Sequence, residues 1–348
     1  MRVGLLTGGG DCPGINAAIR AVTKSLISQN RAEVIGIEDG FLGLVEGRTR
    51  NLDWRSVSGI TALGGTILGT TNRLDPLASA DATRNVLANA SALGLQAVVA
   101  IGGDGTMTIA HGLAALGLPF VGVPKTIDND IEGTERSFGF DTAVTTITEA
   151  LDRVQTTAQS HGRVMIVETM GRYAGWLALE AGIAGAADVI LLPEVDYDLE
   201  LLAARCRERE QRQRFTVICI AEGAKARGGQ QSVAQRIEGR PDPVRLGGVA
   251  HVLREQLQAR VTTEVRATVL GHVQRGGAPT PFDRVLATQF GNEAAMLVRH
   301  QRFNQMVTLA NGSFGSVPLA DVASRTRRVA PDHPLLRCAE QIGICLGR

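Results

Sequence analysis

Short apolar runs alternate with longer segments of helical periodicity along most of the chain, and this alternation restricts the possible folds more than any other feature. The apolar runs resemble buried strands and occupy residues 3–7, 33–37, 97–103, 119–123, 164–168, 189–193 and 215–222. Segments in which apolar residues lie three and four positions apart follow several of them, as in helices packed on one face. This order predicts an α/β protein with mostly parallel sheets covered by helices. So many units predict two three-layer lobes.

The composition excludes several classes of function. The 348-residue chain carries 36 basic and 35 acidic side chains, a formal net charge of +1, so no broad electric field favours nucleic acid or an anionic membrane. The five cysteines are scattered and lack metal-ligand spacing, which predicts reduced thiols in a cytoplasmic protein. We expect no signal peptide and no membrane span, because no apolar segment is long enough.

A glycine-rich turn, TGGGDCPGINAAIR (7–20), joins the first predicted strand to the first predicted helix. Glycine lets the backbone approach a ligand closely, and the amides and dipole of a helix N-terminus favour an anion. A tight turn that binds no ligand has the same residues and remains an alternative. On its own, the segment favours a phosphate site.

A second turn of this kind, AIGGDGT (100–106), adds a carboxylate at Asp104. Magnesium in phosphate sites is held by one or two carboxylates together with substrate phosphates, which makes Asp104 a candidate metal ligand. An aspartate here is also a common helix cap. Two such turns on one predicted sheet favour the phosphate site over two unrelated turns.

The next predicted strand is followed by PKTIDND (124–130), which contains Asp128 and Asp130. Ligands of parallel sheets bind beyond the carboxyl ends of the strands, so we expect both carboxylates to face the same cleft as Asp104. Phosphoryl transfer to a hydroxyl group needs a carboxylate that accepts the proton and charge stabilisation around the transferred group. Aspartates are also frequent in turns, because their side chains bond their own backbone.

Segments further along the chain add polar side chains that suit a sugar phosphate. Forked or ionisable donors for a phosphate are Arg163, Arg172, Arg266, His272 and Arg275. Glu222 can accept hydrogen bonds from sugar hydroxyls. Each arginine taken alone is more often a solvated surface charge, and a single histidine is more often structural.

The motifs together resemble the ATP- and pyrophosphate-dependent 6-phosphofructokinases. The resemblance runs from residue 4 to about residue 291, through GGGDCPGINAAIR, GGTILGT, GGDGT, PKTIDND, MGRYAGW, AEGA and LGHVQRGG in that order. It implies two α/β lobes with mostly parallel sheets and the active site in the cleft between them. The phosphoryl-donor lobe would comprise residues 1–139 and about 274–324. The fructose 6-phosphate lobe would comprise about 140–273 and 325–348.

The resemblance also implies the reaction, in which the γ-phosphoryl of MgATP passes to the 1-hydroxyl of fructose 6-phosphate and gives fructose 1,6-bisphosphate, a step of glycolysis. The implied catalytic residues are Asp128, which would be the base, Thr126, Asp130 and Arg172. The implied ATP contacts are Gly10, Arg73, Gly103, Gly105 and Thr106, and Asp104 would hold Mg²⁺. The implied sugar-phosphate contacts are Thr126, Asp128, Arg163, Met170, Gly171, Arg172, Glu222, Arg266, His272 and Arg275. In the family, the residues at the positions of Arg163 and Arg266 reach in from a neighbouring subunit, so a homodimer or homotetramer is implied.

In the family, the residues at two positions vary with the phosphoryl donor that the enzyme uses. In this sequence the two residues point to different donors. Gly105 stands where pyrophosphate users carry a second aspartate, which would repel and obstruct the α-phosphate of a nucleotide. Lys125 stands where pyrophosphate users also carry lysine, but an ammonium can hold an anionic leaving group in either case. The steric argument therefore favours ATP, and a pyrophosphate-dependent enzyme is the alternative. Asn72 occupies the position of a donor-binding arginine, with Arg73 next to it.

Further departures concern regulation. At the family's effector site, Arg20 and Lys24 match basic positions, but Trp54 and Gln155 stand where arginines are usual. This predicts weakened or altered control by effectors. Residues 223–248, rich in glycine, glutamine and charge, predict a surface insertion.

Two other functions are weighed against this one. Lipid and NAD kinases also carry GGDGT, but they are not expected to supply PKTIDND and LGHVQRGG. A catalytically silent regulatory subunit would bind the same ligands, but every catalytic position that can be matched is intact.

Overall fold

The structure, a computed structural model, describes residues 1–212, 214–236 and 244–348. These residues form two compact units, each built from two stretches of chain. The first unit comprises Met1–Thr142 and Arg275–Arg327, and the second comprises Ala143–Gln274 and Arg328–Arg348. No helix in the described ranges is long and apolar enough to cross a membrane.

Strands and helices alternate along the chain. The strands are β1 (Arg2–Thr7), β2 (Glu33–Ile37), β3 (Thr49–Leu52), β4 (Ala97–Gly102), β5 (Phe120–Pro124), β6 (Val164–Thr169), β7 (Val189–Leu191), β8 (Thr216–Ala221), β9 (Val233–Arg236), β10 (Val244–Leu246), β11 (Val265–Val269), β12 (Gln305–Ala310) and β13 (Ser313–Pro318). The helices are α1 (Ile15–Asn30), α2 (Phe41–Glu46), α3 (Ala80–Ala92), α4 (Asp104–Ala115), α5 (Phe140–His161), α6 (Trp176–Ala184), α7 (Leu199–Arg212), α8 (Val249–Gln258), α9 (Pro281–Arg299), α10 (Leu319–Val322) and α11 (Pro334–Gln341). Short 3-10 turns lie at Pro76–Ala78 and Gly271–Arg275.

The sheet of the first unit has the strand order β13-β12-β5-β4-β1-β2-β3. Its inner strands run parallel, while the edge strands β3 and β13 run antiparallel to their neighbours. Since β2 lies on one side of β1 and β4 lies on the other, the chain changes direction across the sheet between β1 and β4. Open α/β sheets bind ligands at the carboxyl ends of the strands beside such a switch point.

Helices cover both faces of this sheet. One face packs on the apolar sides of α2, α3 and α4, where Leu44, Val86 and Leu113 are fully buried. The other face carries α1 and α9, which approach so closely that a Cβ added at Gly291 would lie 2.7 Å from the carbonyl oxygen of Ala18. Each large aliphatic side chain buried in this way contributes roughly 1.5–3 kcal/mol to stability. The predicted α/β class with a mostly parallel sheet is therefore confirmed.

The second unit contains a smaller sheet with the order β11-β6-β8-β7, and all its strands are parallel. Ile166 and Ile218 on neighbouring strands belong to a core that includes Leu202 of α7 and Leu253 of α8. On α6, a Cβ at Gly182 would lie 2.7 Å from Ile190, so this helix packs tightly on the sheet. The unit is again an α/β structure whose strands end at one common edge.

The segment 223–248 is only partly the surface insertion that the sequence predicts. Gly223 and Ala224 are buried, and Ala224 belongs to the core of the second unit, because the loop after β8 turns inward. Exposed residues begin at Arg227, and β9 and β10 then form an antiparallel pair. Residues 237–243 of the predicted insertion lie outside the described residues.

Candidate active site

The glycine turn after β1 is held by close packing at Gly8 and by a backbone conformation at Gly9 that favours glycine. A Cβ at Gly8 would lie 2.6 Å from the Oγ1 atom of Thr106, and Gly9 has a φ of 76°, a conformation that favours glycine. The hydroxyl of Thr70 donates a hydrogen bond of 2.6 Å to the carbonyl oxygen of Gly9. These contacts hold the turn in place at the switch point between β1 and β4.

The second glycine turn lies beside the first, because the backbone N–H of Gly8 donates to the carbonyl oxygen of Ile101 at 2.9 Å. Helix α4 begins after Gly103, and Asp104 in its first turn is exposed. A Cβ at Gly105 would meet no atom within 4 Å, so the space over this position is open. Exposed backbone at the start of a helix, with open space above it, suits an anionic ligand.

Lys125, directly after β5, is buried under the first glycine turn. Its side chain is only 3% exposed, and its ammonium donates a hydrogen bond to the carbonyl oxygen of Gly10. Its backbone N–H donates to the carbonyl oxygen of Gly102 at 3.0 Å. Burial lowers the pKa of the Lys125 ammonium below its usual value. The lysine thus joins both glycine turns to the end of β5.

The loop Thr126–Asp130 is held through its backbone. The carbonyl oxygen of Thr126 accepts a bond of 3.0 Å from the Ser137 hydroxyl, and that of Asn129 accepts one of 2.8 Å from the Nη1 atom of Arg327. Asn129 has a φ of 53°, in the left-handed region that asparagine tolerates. The side-chain oxygen of Thr126 accepts a bond of 3.1 Å from the backbone N–H of Asp128. These contacts fix where Asp128 and Asp130 lie.

Three carboxylates, Asp104, Asp128 and Asp130, follow the neighbouring strands β4 and β5 at this edge of the sheet. Burial, and next the charges of Asp128 and Asp104, raise the pKa of Asp130 to about 7. A cation would relieve this accumulation of negative charge, so the residues fit a divalent metal. Within the described ranges, no group of three or more His, Cys, Asp or Glu side chains has the arrangement of a complete metal site. The arrangement therefore suits a metal that takes most of its oxygens from a bound phosphate.

Two arginines that the sequence singles out differ in their surroundings. The Nη1 atom of Arg275 donates to the carbonyl oxygen of Asp11 at 3.2 Å and would lie 2.7 Å from a Cβ at Gly10. Arg73 and its neighbour Asn72 are exposed. Arg275 therefore lies against the first glycine turn, among the residues expected to contact the donor, although the family resemblance implies a sugar-phosphate contact for it.

In the second unit, Met170, Gly171 and Arg172 follow β6, and Glu222 follows its neighbour β8. The backbone N–H of Gly223 donates to the carbonyl oxygen of Gly171 at 3.2 Å. A Cβ at Gly223 would lie only 2.1 Å from the carbonyl oxygen of Arg172, so the two loops touch backbone to backbone. Four residues that the sequence assigns to one site therefore lie on two adjoining loops.

Arg163 and Arg266 lie together near the start of β6, at the opposite end of this strand from the Met170–Arg172 loop. The Nε atom of Arg163 is 2.5 Å from one carboxylate oxygen of Glu264, and the Nη2 atom of Arg266 bonds the other. All three side chains are at least a quarter exposed, so the arginines can exchange this partner for a phosphate. His272 is exposed in the 3-10 turn that follows β11.

Several residues that support these loops could not be identified from the sequence. The buried Gln274 accepts a bond of 3.2 Å at its Oε1 atom from the backbone N–H of Met170. Glu264 has a sequence signal, because it stands two residues before Arg266, and side chains two apart in extended chain point to the same side. Gln274 has none, because its partner is distant in sequence.

The basic residues expected at an effector site lie on α1. The Nζ atom of Lys24 is 4.3 Å from the centre of the Trp54 ring, a cation–π contact. Arg20 and Lys24 also line a cavity of about 500 Å³ beside α9. Gln155 lies on α5, half-buried.

Parallel strands that end in glycine turns and carboxylates, at a switch point of the sheet, define an α/β protein equipped for phosphate-bearing ligands. The chain belongs to the phosphofructokinase family, whose model, described as Phosphofructokinase, matches residues 2–298.

Individual relatives agree with this membership. An ATP-dependent 6-phosphofructokinase of Chloroflexus aurantiacus is 47% identical over 355 residues, covering 99% of this chain and 98% of the relative. A pyrophosphate–fructose 6-phosphate 1-phosphotransferase of Streptomyces coelicolor is 45% identical over 348 residues, covering 100% of both. The solved structure of phosphofructokinase from Saccharomyces cerevisiae has a TM-score of 0.80 and 31% identity over 92% of this chain. The chain spans only 45% of that yeast chain.

Proposed function

We propose that this protein is an ATP-dependent 6-phosphofructokinase. The observation that carries the proposal is that Asp104, Asp128 and Asp130 follow the neighbouring parallel strands β4 and β5, beside two glycine turns at the switch point of the sheet. In the reaction, the 1-hydroxyl oxygen of fructose 6-phosphate forms a bond to the γ-phosphorus of ATP. The bond from that phosphorus to the β,γ-bridging oxygen breaks, and ADP leaves.

The proton of the 1-hydroxyl passes to the carboxylate of Asp128. General bases of this kind accelerate a reaction typically by about 10²–10⁴-fold. Thr126 orients Asp128, since its hydroxyl oxygen already accepts a bond from the Asp128 backbone. Asp104 is the proposed ligand of Mg²⁺, and its charge contributes to the raised pKa of Asp130. When bound, the metal would neutralise charge on the donor phosphates.

We assign the phosphoryl donor to the glycine turns of the first unit. The backbone at Gly10, Gly103 and Gly105 receives the phosphates, Thr106 packs against Gly8 and Gly102, and Arg73 is available from the exposed loop. Arg172 stabilises the transferred group, while Met170, Gly171 and Glu222 contact the sugar. The phosphate of the sugar is held by Arg163, Arg266, His272 and Arg275.

The choice of ATP rests on Gly105 and Lys125. The space over Gly105 is open, which leaves room for the rest of a nucleotide. The ammonium of Lys125 is engaged with the carbonyl oxygen of Gly10, so in this structure it supports the turn and does not project into that space. The alternative donor, pyrophosphate, is favoured by the name of the Streptomyces coelicolor relative.

Formation of fructose 1,6-bisphosphate, measured in parallel with ATP and with pyrophosphate, tests the proposal. We expect activity with ATP and Mg²⁺ and none with pyrophosphate. In the variant Gly105→Asp, we expect the KM for ATP to rise by an order of magnitude or more, because a carboxylate there repels the nucleotide phosphates. Activity with pyrophosphate alone would show that the donor is wrong, and no activity with either would refute the phosphofructokinase assignment.

Self-association to a homodimer or homotetramer and a cytoplasmic location are part of the proposal. Support for self-association comes from the exposure of Arg163 and Arg266, which in the family complete the site of a neighbouring subunit. Light scattering coupled to gel filtration tests it. A mass of about one chain at assay concentration, with full activity, would contradict it.

A further inference from the structure

Gln231 lies in the segment 223–248, which the proposed function leaves without a role. Its side chain is half-buried, and its amide nitrogen is 2.9 Å from the carbonyl oxygen of Gly223 and 3.4 Å from that of Arg172. Only the NH₂ end of a glutamine amide can donate to two carbonyl oxygens, so the chemistry of the partners fixes the orientation of the amide.

The two carbonyl groups belong to the two adjoining loops of the second unit. One loop follows β6 and carries Arg172, and the other follows β8 and carries Glu222. The loops touch at Gly223, where no side chain fits between them. Gln231 therefore bridges two loops that are also joined by a backbone bond of 3.2 Å from the N–H of Gly223 to the carbonyl oxygen of Gly171.

The end of the same segment is also tied to β6. Glu168, which is 2% exposed, accepts bonds of 3.0 Å from the backbone N–H of Gly248 and 2.9 Å from that of Ala250. Glu168 lies in β6, two residues before Met170. Hydrogen bonds thus join the described parts of the segment, before and after residues 237–243, to β6 and to the Met170–Arg172 loop that follows it.

We propose that Gln231 is a positioning residue for these loops, so that segment 223–248 controls the affinity for the sugar phosphate and is not only a surface feature. The identity of the ligand in this proposal rests on the proposed function. Gln231 touches neither reacting group, and it acts through the backbone at Arg172 and Gly223. Loss of its bonds should therefore loosen the binding of the sugar phosphate and leave the donor site unchanged.

A series of substitutions at Gln231 separates the effect of hydrogen-bond donation from the effect of side-chain size. In Gln231→Ala we expect the KM for fructose 6-phosphate to rise about three- to tenfold, the equivalent of one or two lost hydrogen bonds, with the KM for the donor unchanged. In Gln231→Glu the rise should be larger, because a carboxylate would face two carbonyl oxygens. Gln231→Lys keeps N–H donors and should restore the KM. The matched control is Gln230→Ala, since Gln230 is exposed and adjacent.

Hydrogen–deuterium exchange of the backbone supplies a measurement that does not depend on activity. Faster exchange at residues 170–174 and 222–224 in Gln231→Ala, but not in Gln230→Ala, is the expected result. Equal exchange in both variants would overturn the proposal, as would faster exchange with an unchanged KM, or a KM that Gln231→Glu and Gln231→Lys alter alike. If the native protein does not phosphorylate fructose 6-phosphate, the proposed function fails, and the exchange data alone decide whether Gln231 holds the loops.

Discussion

Because of the pKa of Asp130, the stability of the ligand-free protein depends on pH. Its pKa is raised to about 7, first by burial and then by the charges of Asp128 and Asp104. Between about pH 4 and pH 7, the folded protein therefore binds a proton that the unfolded chain has released. Stability from this group is present at low pH and is lost as the pH rises through this window.

Asp130→Asn should consequently stabilise the protein when no metal or substrate is bound. We expect the free energy of unfolding to rise by roughly 2–4 kcal/mol at pH 8, because a charged, half-buried carboxylate is removed. The gain should fade below pH 4, where the native aspartate is protonated in both states. Thermal melting from pH 4 to pH 8 in buffer with a chelator measures the effect.

The control for this measurement is Asp152→Asn, since Asp152 is an exposed aspartate of α5. It should leave the melting temperature nearly unchanged at every pH. A gain for Asp130→Asn that is equal at pH 4 and pH 8 would contradict the raised pKa.

Asp128→Ser tests the proposed general base. We expect kcat to fall about 10²–10⁴-fold, while the KM for fructose 6-phosphate and the melting temperature change little. Steady-state kinetics and calorimetric binding of fructose 6-phosphate provide the readouts. Unchanged kcat would remove Asp128 from the mechanism.

The candidate site could be predicted from the sequence where its residues follow apolar strands directly. Asp104 and Asp128 are of this kind, because the ends of neighbouring parallel strands must meet at one edge. The surroundings of Lys125 could not be predicted, since its bond to Gly10 depends on how two distant turns pack. The same holds for Gln231, whose partners are set by the loops after β6 and β8.

At the scale of elements, the loops after β6 and β8 touch through their backbones at Gly223, with no side chain between them. In Gly223→Ala the added methyl group would lie 2.1 Å from the carbonyl oxygen of Arg172, so the loops after β6 and β8 must separate. We expect a destabilisation of roughly 1–3 kcal/mol and a higher KM for fructose 6-phosphate. Denaturant unfolding and initial rates measure both effects.

Gly315→Ala provides the matched comparison. Gly315 lies on the edge strand β13, where a Cβ would be 3.5 Å from the Oγ1 atom of Thr308, an ordinary contact. This variant should keep native kinetics. If Gly223→Ala also did so, the loops would have to be more adaptable than their close contact indicates.

The strands that the sequence identifies and those that it misses differ in burial. β4 and β8 are buried along their whole length and read as continuous apolar runs. β3, β11 and β13 lie at sheet edges and are partly exposed, so polar residues interrupt them and no apolar run remains. The edge strand β7 is identified because it is buried along its whole length.

At the scale of the molecule, the sheet of the first unit depends on two distant stretches of chain. Val121 of β5 pairs with Gln305 of β12, and α1 packs on α9 at Gly291. A fragment of residues 1–142 would therefore lack β12 and α9. We expect this fragment to aggregate or remain partly folded, as judged by gel filtration and circular dichroism, whereas the full chain is monodisperse. A soluble, cooperatively unfolding fragment would contradict this expectation.

The pairing of β5 with β12 also has a consequence for synthesis of the protein on the ribosome. Residues 1–142 emerge first, and the nascent chain must wait for β12 while residues 143–304 are translated, a delay of roughly 10–30 s at ordinary elongation rates. Throughout that interval β5 has an open edge, the kind of surface that recruits other strands. The speed of translation through the second unit, and the chaperones present meanwhile, therefore govern how much of the newly made protein reaches the native state.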